Sequence, residues 1–381
     1  MFFINMNALV AMAGMIAVLM LTRWWPLNKR VLLLFFNLAF LGVFSQKLFL
    51  FAVVYTALNY AGFLFLCRTA SYRKLWFVLS IVLNVAAVSC VRLFVMEVWT
   101  HPLFDAVIWI GLIYYVLKVI DAYYFAYFLG KDAKAPALDF FNYILFVPTF
   151  TSGPILKFRD FMADTKKPYS INAAQFEEAV KRIILGLFKK IVLVTWVSTA
   201  FDHVLAGELH TAQSLFLMVC FYAWVYFDFS GYSDIAVGIG RLFGYTIPEN
   251  FKKPFLSPTL TQYWRNWHAT LGDWFRDHIF MFFSRKTPSR WTAAGLSILI
   301  MVLIGLWHGF TVLYVIWGVY HGLLLALENL LGSTLVNKKK VSKPYFYFRC
   351  FLTQLAVLAA IIIYGGTQET VLRIYRGLLS F

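Results

Sequence analysis

The sequence predicts an all-α protein that crosses a membrane many times, and three observations carry that reading. First, 61% of the 381 residues are hydrophobic and only 14% are charged, against roughly 45–50% apolar and about 25% charged in soluble domains. Second, the apolar residues fall in runs near the ~20 residues that a spanning helix needs. Third, basic residues gather in the short breaks between those runs, as cytoplasmic loops do under the positive-inside rule. The formal net charge of +16 therefore reads as topology, and nucleic acid is excluded as a partner. Cys67, Cys90, Cys220 and Cys350 are scattered and form no CxxC pair, so neither a disulfide framework nor a metal site is expected.

Residues 7–22 read as a first span. They lack a basic leader and a small-residue cleavage site, so a removable signal peptide is not expected. "RWWPLNKR" (23–30) is its cytoplasmic exit. Residues 31–45 and 48–66 make a hairpin that ends in "RTASYRK" (68–74). Residues 75–95 go out, and 105–128 return to "GKDAKA" (130–135). Basic residues in each inner loop put the N-terminus outside. Several runs are short for a full crossing, which predicts tilted or partial spans.

The middle is less regular. "YILFVPTFTSGPILKFRDF" (143–161) places two prolines and a glycine in an apolar setting. Its freed backbone groups need partners, so a broken or re-entrant segment buried in protein is expected rather than a lipid-facing helix. Residues 175–199 begin amphipathic and turn apolar, with the first half suited to the interface. Residues 213–229 form another span. "FDFSGYSDIAVGIGRLFGYTIPENFKKPF" (227–255) reads as a broken helix followed by a polar stretch on the cytoplasmic side. Residues 291–309 leave from "SRKTPSR" (284–290), 311–331 return to "NKKKVSK" (337–343), and 347–365 leave again. The total is roughly nine to eleven membrane segments. No internal repeat is visible, which counts against an inverted-repeat transporter.

Two segments carry chemistry. In "GLWHGF" (305–310), His308 lies near the end of a hydrophobic span, flanked by Gly305 and Gly309. An ionisable residue at membrane depth is costly and marks function. An imidazole takes and gives protons near neutral pH, which suits a general base acting on a hydroxyl; the competing reading is an interfacial histidine bonded to a carbonyl. In "WRNWHATLGDWFRDH" (264–278), a helix would put Trp264, Trp267, His268, Leu271, Trp274 and Phe275 on one face. Arg265, Asp273, Arg276 and Asp277 would turn the other way. An interfacial helix with a tryptophan belt explains most of this, but not a histidine on the apolar face. Arg276 and Asp277 have Asp234 and Glu249 as conceivable partners. His321 repeats the His-Gly pattern and either lines the same cavity or, more simply, satisfies a backbone group. His278 is expected on the surface of its helix; His101, His203 and His210 in outer loops. No metal-ligand spacing and no GxSxG elbow is present.

"YWRNWHATLGDWFRDHIFMFF" (263–283), "GLWHGFTVLYVIWGVYHGLLLALE" (305–328) and residues 227–255 resemble, in order, the motifs of the membrane-bound O-acyltransferase (MBOAT) superfamily. The resemblance covers roughly residues 140–335 and points to the bacterial branch that modifies extracytoplasmic polymers. Two groups compete: the D-alanyl transfer proteins of teichoic-acid D-alanylation (DltB) and the alginate O-acetyltransferases (AlgI) with their exopolysaccharide relatives. "FVPTFTSGPILKFRDF" (146–161) is nearer the first group, and residues 361–381 lack the longer tail of the second. D-alanyl transfer toward teichoic acid is thus the expectation, with O-acetylation of an exported polysaccharide or of peptidoglycan as the alternative. Asn266, where the family often has arginine, and "ATLG" (269–272) depart from the pattern.

The resemblance implies one transmembrane domain over 1–381. It would comprise N-terminal helices (1–135), a catalytic core (140–335), and a C-terminal helix and tail (336–381). Its helices would form a ring around a central tunnel in a bacterial cell membrane. It implies His308 as the catalytic histidine and His268 as the second one, with no bound cofactor and no metal. The acyl group would arrive as a thioester, on phosphopantetheine of an acidic carrier protein or as acetyl-CoA. The acceptor would be an extracytoplasmic polymer or a partner acyltransferase. Trp267, Asn266, Trp307, Ser152, Tyr232, Ser233, Asp234 and His321 would line the tunnel. Arg265, Arg276, Asp277, Lys252 and Lys253 would face the donor or simply keep the topology. A transporter with a histidine proton relay and a non-catalytic scaffold for polymer export are the other classes.

Overall fold

The computed structural model describes residues 6–21, 28–97, 112–150, 153–280 and 288–380. Those residues form helices joined by short connections, with no strand among them. In chain order the helices are α1 Met6–Leu21, α2 Lys29–Phe44, α3 Gln46–Arg68, α4 Arg73–Glu97, α5 Leu112–Leu129, α6 Ala137–Ile144, α7 Phe158–Thr165, α8 Ala173–Leu205, α9 Thr211–Leu242, α10 Leu260–Asn266, α11 Ala269–Phe275, α12 Arg290–His308, α13 Val312–Leu331, α14 Lys343–Ile361 and α15 Gln368–Gly377. Among the described residues, seven helices are long and apolar enough to cross a membrane: α3, α4, α8, α9, α12, α13 and α14 with its last turn. The all-α, polytopic reading holds. His101, Ser152 and the start of the span expected at 105–128 lie outside the described residues.

The chain divides into two compact units, Met1–Gly186 with Tyr232–Pro248, and Leu187–Gly231 with Glu249–Phe381. In the first unit the proline-rich segment is broken and buried, as expected. α6 ends at Ile144, a single 3-10 turn covers Val147–Thr149, and α7 begins at Phe158. Tyr143 through Val147 are fully buried. Backbone groups cut off from water must be paired inside the protein, and here side chains do it. Lys118 Nζ donates to the carbonyls of Tyr143 (3.3 Å) and Ile144 (3.4 Å) at the C-terminal end of α6. Asn37 Oδ1 accepts from the Val147 amide, Asp121 from the Phe158 amide, and the Tyr143 hydroxyl donates to the Leu156 carbonyl.

The stretch after residue 211 differs from expectation. Residues 211–242 form one continuous helix, α9, rather than a span followed by a broken helix. Its glycines serve packing. A Cβ on Gly238 would stand 2.6 Å from Ile183 and 2.8 Å from the Ala179 carbonyl, so glycine lets α8 approach there without interrupting the hydrogen-bond ladder. Asp234, which lent the segment its polar look, is buried and ion-paired to Arg182 at 2.8 Å.

In the second unit α12 and α13 form a tightly packed helical hairpin that carries His308 at its turn. Gly305 permits the closeness: a Cβ there would overlap the Tyr314 carbonyl. Gly295, on the same helix, is exposed, and a Cβ added to it would meet nothing within 4 Å. Gly305→Val is expected to cost at least about 1–3 kcal/mol by overpacking and to lower the thermal unfolding midpoint in detergent, while Gly295→Ala leaves it unchanged. Equal midpoints for the two variants would refute the close packing.

Candidate active site

The site is built around a helix break. Thr259 caps α10, its Oγ1 accepting from the Gln262 amide. The Leu260 and Thr261 amides donate to the two Glu328 oxygens at 2.7 and 2.8 Å. A carboxylate at the positive end of a helix satisfies amides that have no intrahelical partner. α10 ends at Asn266, Trp267 is extended, and His268 takes φ 44°, ψ 47° before α11 begins. The expected single amphipathic helix is therefore two short helices with the histidine in the joint. A left-handed conformation costs a non-glycine residue about 1–2 kcal/mol, and the surroundings hold it. Asn250 accepts from the Ala269 amide through its carbonyl and from the Thr270 hydroxyl (2.6 Å) through its side chain. Asn266 binds back, its side-chain amide donating to Ser257 Oγ and its carbonyl accepting from the Lys252 amide.

That kink turns the His268 ring away from a helix face and into the protein. It is 5% exposed. It stands edge-on to Phe229 with ring centroids 4.5 Å apart, 5.9 Å from Trp307 and 6.5 Å from His308. Its Nε2 has no hydrogen-bond partner among the described residues. His268 lies outside the membrane-spanning helices. Burial, and secondarily the neighbouring His308, holds its imidazole well below the ordinary value of 6.5, so it is neutral.

His308 is the last residue of α12 and is half-buried. The Tyr364 hydroxyl lies 3.3 Å from its Nδ1, with the two rings edge to face at 4.8 Å. Trp307, Tyr314 and Trp317 complete the aromatic surround. His321, one turn further along α13 from Trp317, is 1% exposed and packs against Trp264 and Trp317 at 5.1 and 5.0 Å.

All three histidines open on one cavity of about 230 Å³. Its wall follows α12 through Ser297, Met301, Ile304 and His308, and α13 through Trp317, His321, Leu325 and Asn329. Residues one turn apart on two facing helices make a passage along the hairpin, about 16–18 Å long at 1.5 Å per residue. Trp264, Trp267 and Tyr364 close its sides, and Arg265, Asp273 and Arg276 stand at its rim.

Of the residues expected from sequence, His308, His268, His321, Trp267, Arg265 and Arg276 converge here. Trp307 packs behind the two histidines, and Asn266 braces the break instead of lining the cavity. Arg276 pairs with Asp273 (2.7 Å) and Asp277 (3.2 Å) of its own turn, not with Asp234 or Glu249. Helical neighbours reach it without ordering a distant loop. Lys252 and Lys253 are exposed and off the cavity wall. Tyr232, Ser233 and Asp234 are buried in the first unit. His278 is a correction: it is buried and stacked on Trp274, its Nδ1 bonded to the Trp274 carbonyl, because a π-helical turn at Arg276–Phe280 rotates it inward. Sequence reasoning misses Tyr364, Trp317 and Glu328. The only sequence signal for Tyr364 is its place just before Gly365-Gly366, where the last span ends.

A model of the MBOAT, membrane-bound O-acyltransferase family, matches residues 128–347. The chain belongs to this family. Its curated relatives fall into several kinds. The probable alginate O-acetylase AlgI of Pseudomonas syringae pv. tomato is 34% identical over 276 residues, covering 71% of this chain and 52% of that protein. The teichoic acid D-alanyltransferase of Bacillus subtilis is 30% identical over 260 residues, 63% of this chain and 66% of that one. The peptidoglycan O-acetyltransferase of Helicobacter pylori is 25% identical over 249 residues, 64% and 47%. The chain spans about half the length of the alginate O-acetylases it matches. The family match takes in both the break at His268 and the hairpin that carries His308 at its turn.

The buried neutral state of His268 has a measurable consequence. Its folded-state pKa lies below its unfolded one, so the unfolded chain takes up the proton first as pH falls. This contribution to stability is complete above about pH 6.5 and is lost as pH falls below it. His268→Asn, which tolerates the left-handed backbone, is expected to flatten the fall in unfolding midpoint between pH 7 and pH 5. An unchanged slope would count against a neutral buried imidazole.

Proposed function

We propose that this chain is an O-acyltransferase that moves a small acyl group from a thioester to a hydroxyl of an extracytoplasmic polymer, with His308 as the general base. The observation that carries the reading is the placement of His308: at the end of a spanning helix, opening on the cavity, and oriented by Tyr364. With Nδ1–H donated to the tyrosine oxygen, Nε2 is the basic nitrogen. It takes the hydroxyl proton as that oxygen attacks the thioester carbonyl. The new C–O bond forms, the C–S bond breaks, and the departing thiolate recovers the proton from His308. The imidazolium formed in between sits at a helix C-terminus, where a cation is favoured by about 0.3–1 kcal/mol. His268, neutral and 6.5 Å away centroid to centroid, adds polarity without competing for the proton. General-base help accounts for about 10²–10⁴-fold, so the larger part of the rate comes from holding both substrates in one passage.

The acyl group proposed is acetyl. Among the described residues on the cavity wall, the one carboxylate is Asp273, and it is already ion-paired with Arg276, so no unpaired wall carboxylate awaits the ammonium of a D-alanyl group. D-alanyl transfer stands as a second reading because a teichoic acid D-alanyltransferase is among the relatives. It would rely on the ring faces of Trp317 and Tyr364 for the ammonium. In either case the exposed Arg265 at the rim suits a phosphate-bearing donor, either coenzyme A or an acidic carrier protein. A bacterial cell membrane is the proposed setting.

His308→Ala is expected to fold, with unchanged elution and unfolding midpoint, and to lose at least about 10²-fold in transfer. Mass spectrometry of cell-wall and secreted polymers from a strain carrying it should show the acetyl esters gone. Wild-type ester levels in that strain would overturn the role of His308, and loss of D-alanyl rather than acetyl esters would reverse the choice of acyl group.

A further inference from the structure

Between His308 and the Ser297–Asn329 end of the passage, α12 and α13 present Met301, Ile304, Trp317 and Leu325, and one polar step interrupts them. There Trp264 and His321 meet, ring centroids 5.1 Å apart. Both line the cavity, and both have a buried polar atom without a hydrogen-bond partner among the described residues: Nε1 of Trp264 and Nδ1 of His321. His321 is almost wholly buried. Buried polar groups are seldom left unpaired, and each one that is calls for an explanation. An indole N–H can only donate. An imidazole that carries its proton on Nε2 presents Nδ1 as an acceptor. The pair therefore offers one donor and one acceptor, which is the complement of a single secondary amide.

Position along the passage narrows the choice further. His321 lies one helical turn, about 5.4 Å, beyond Trp317 on α13. Trp317 itself touches both His308 and His321. The step from His308 to His321 runs toward the end of the hairpin flanked by basic residues, the cytoplasmic end by the positive-inside rule. A donor whose thioester carbonyl is held at His308 and whose tail trails that way would bring to this step whatever group follows the sulfur by a short spacer.

We propose that Trp264 and His321 form a subsite that reads a secondary amide placed two methylenes from the thioester sulfur of the acyl donor. This rests on the acyltransferase reading and adds a donor requirement to it. Trp264 Nε1 donates to the amide oxygen, and His321 Nδ1 accepts from the amide N–H. The two residues select the donor and do not touch the reacting carbonyl. A site built to pair an amide rejects the analogue lacking it, because its own buried groups are then left unpaired.

The test uses the purified full chain in detergent, two acetyl donors and a soluble oligosaccharide acceptor. S-acetyl-N-acetylcysteamine carries the amide at that spacing; S-acetyl-pentanethiol replaces it with methylenes. The wild type is expected to prefer the amide donor by about tenfold or more in kcat/KM. Trp264→Phe and His321→Phe bring that ratio toward unity, and His321→Gln, whose side-chain oxygen still accepts, restores part of it. A second measurement needs no variant: N-acetylcysteamine competes with the amide donor at lower concentration than pentanethiol does. Transfer from both donors with the wild-type ratio in the two Phe variants, or equal competition by the two thiols, overturns the subsite alone. Transfer from neither donor by the wild type removes the acetyl-transfer reading and the subsite with it.

Discussion

A chain surrounded by lipid can leave helical geometry only where the backbone groups it frees find partners inside the protein. Two irregular segments among the described residues obey that constraint, and each does so with buried polar side chains. Around residues 143–158, Lys118, Asn37 and Asp121 take up stray carbonyls and amides. Around His268, Glu328 holds the start of α10 and Asn250 holds the start of α11. The charge that composition marks as topological is, at these points, structural. Glu328 is a carboxylate whose oxygens go to backbone amides and the Thr261 hydroxyl.

The break at His268 matters because a continuous helix could not serve the same end. On an uninterrupted α-helix, His268 would lie beside Trp264 and Trp267 on one apolar face. The left-handed joint separates them. Trp264 faces His321, while His268 turns to Phe229 and to the end of α12. A strained residue at a polar joint is a frequent mark of a working site. Two imidazoles thereby come together in an aromatic enclosure without any ion pair between them. Such surroundings suit the base proposed here, neutral at rest and charged only in passing.

The walls of the passage have a division of labour that follows from side-chain chemistry. Tightly packed α12 and α13 give it a fixed floor, since Gly305 brings their backbones into contact. Aromatic rings supply apolar area, and tryptophan and histidine nitrogens supply the few polar points. The arginines at the rim are partly neutralised by their own helix, Arg276 by Asp273 and Asp277. Arg265 is exposed, and a charge of that kind acts mainly on approach and orientation.

Sequence alone determined the solvent. Hydrophobic runs near the length of a bilayer, with lysine and arginine between them, left no other fold class open, because a helix is the cheapest way to carry a backbone through lipid. It also singled out His308 and His268, since an ionisable ring in an apolar run stands out against that background. The buried break at 143–161 was legible from its prolines. What the sequence could not carry was anything set by three-dimensional partners. Gly238 and its neighbours looked like helix breakers until Ile183 was seen to fill the space beside them. Trp264, Trp267 and His268 looked like one face until Asn250 and Glu328 were seen to hold two helices apart. Tyr364 reached His308 from 56 residues away, and no local pattern marks such a contact. Periodicity reports which residues avoid water; only the tertiary structure decides which of them meet, because meeting depends on where the chain bends.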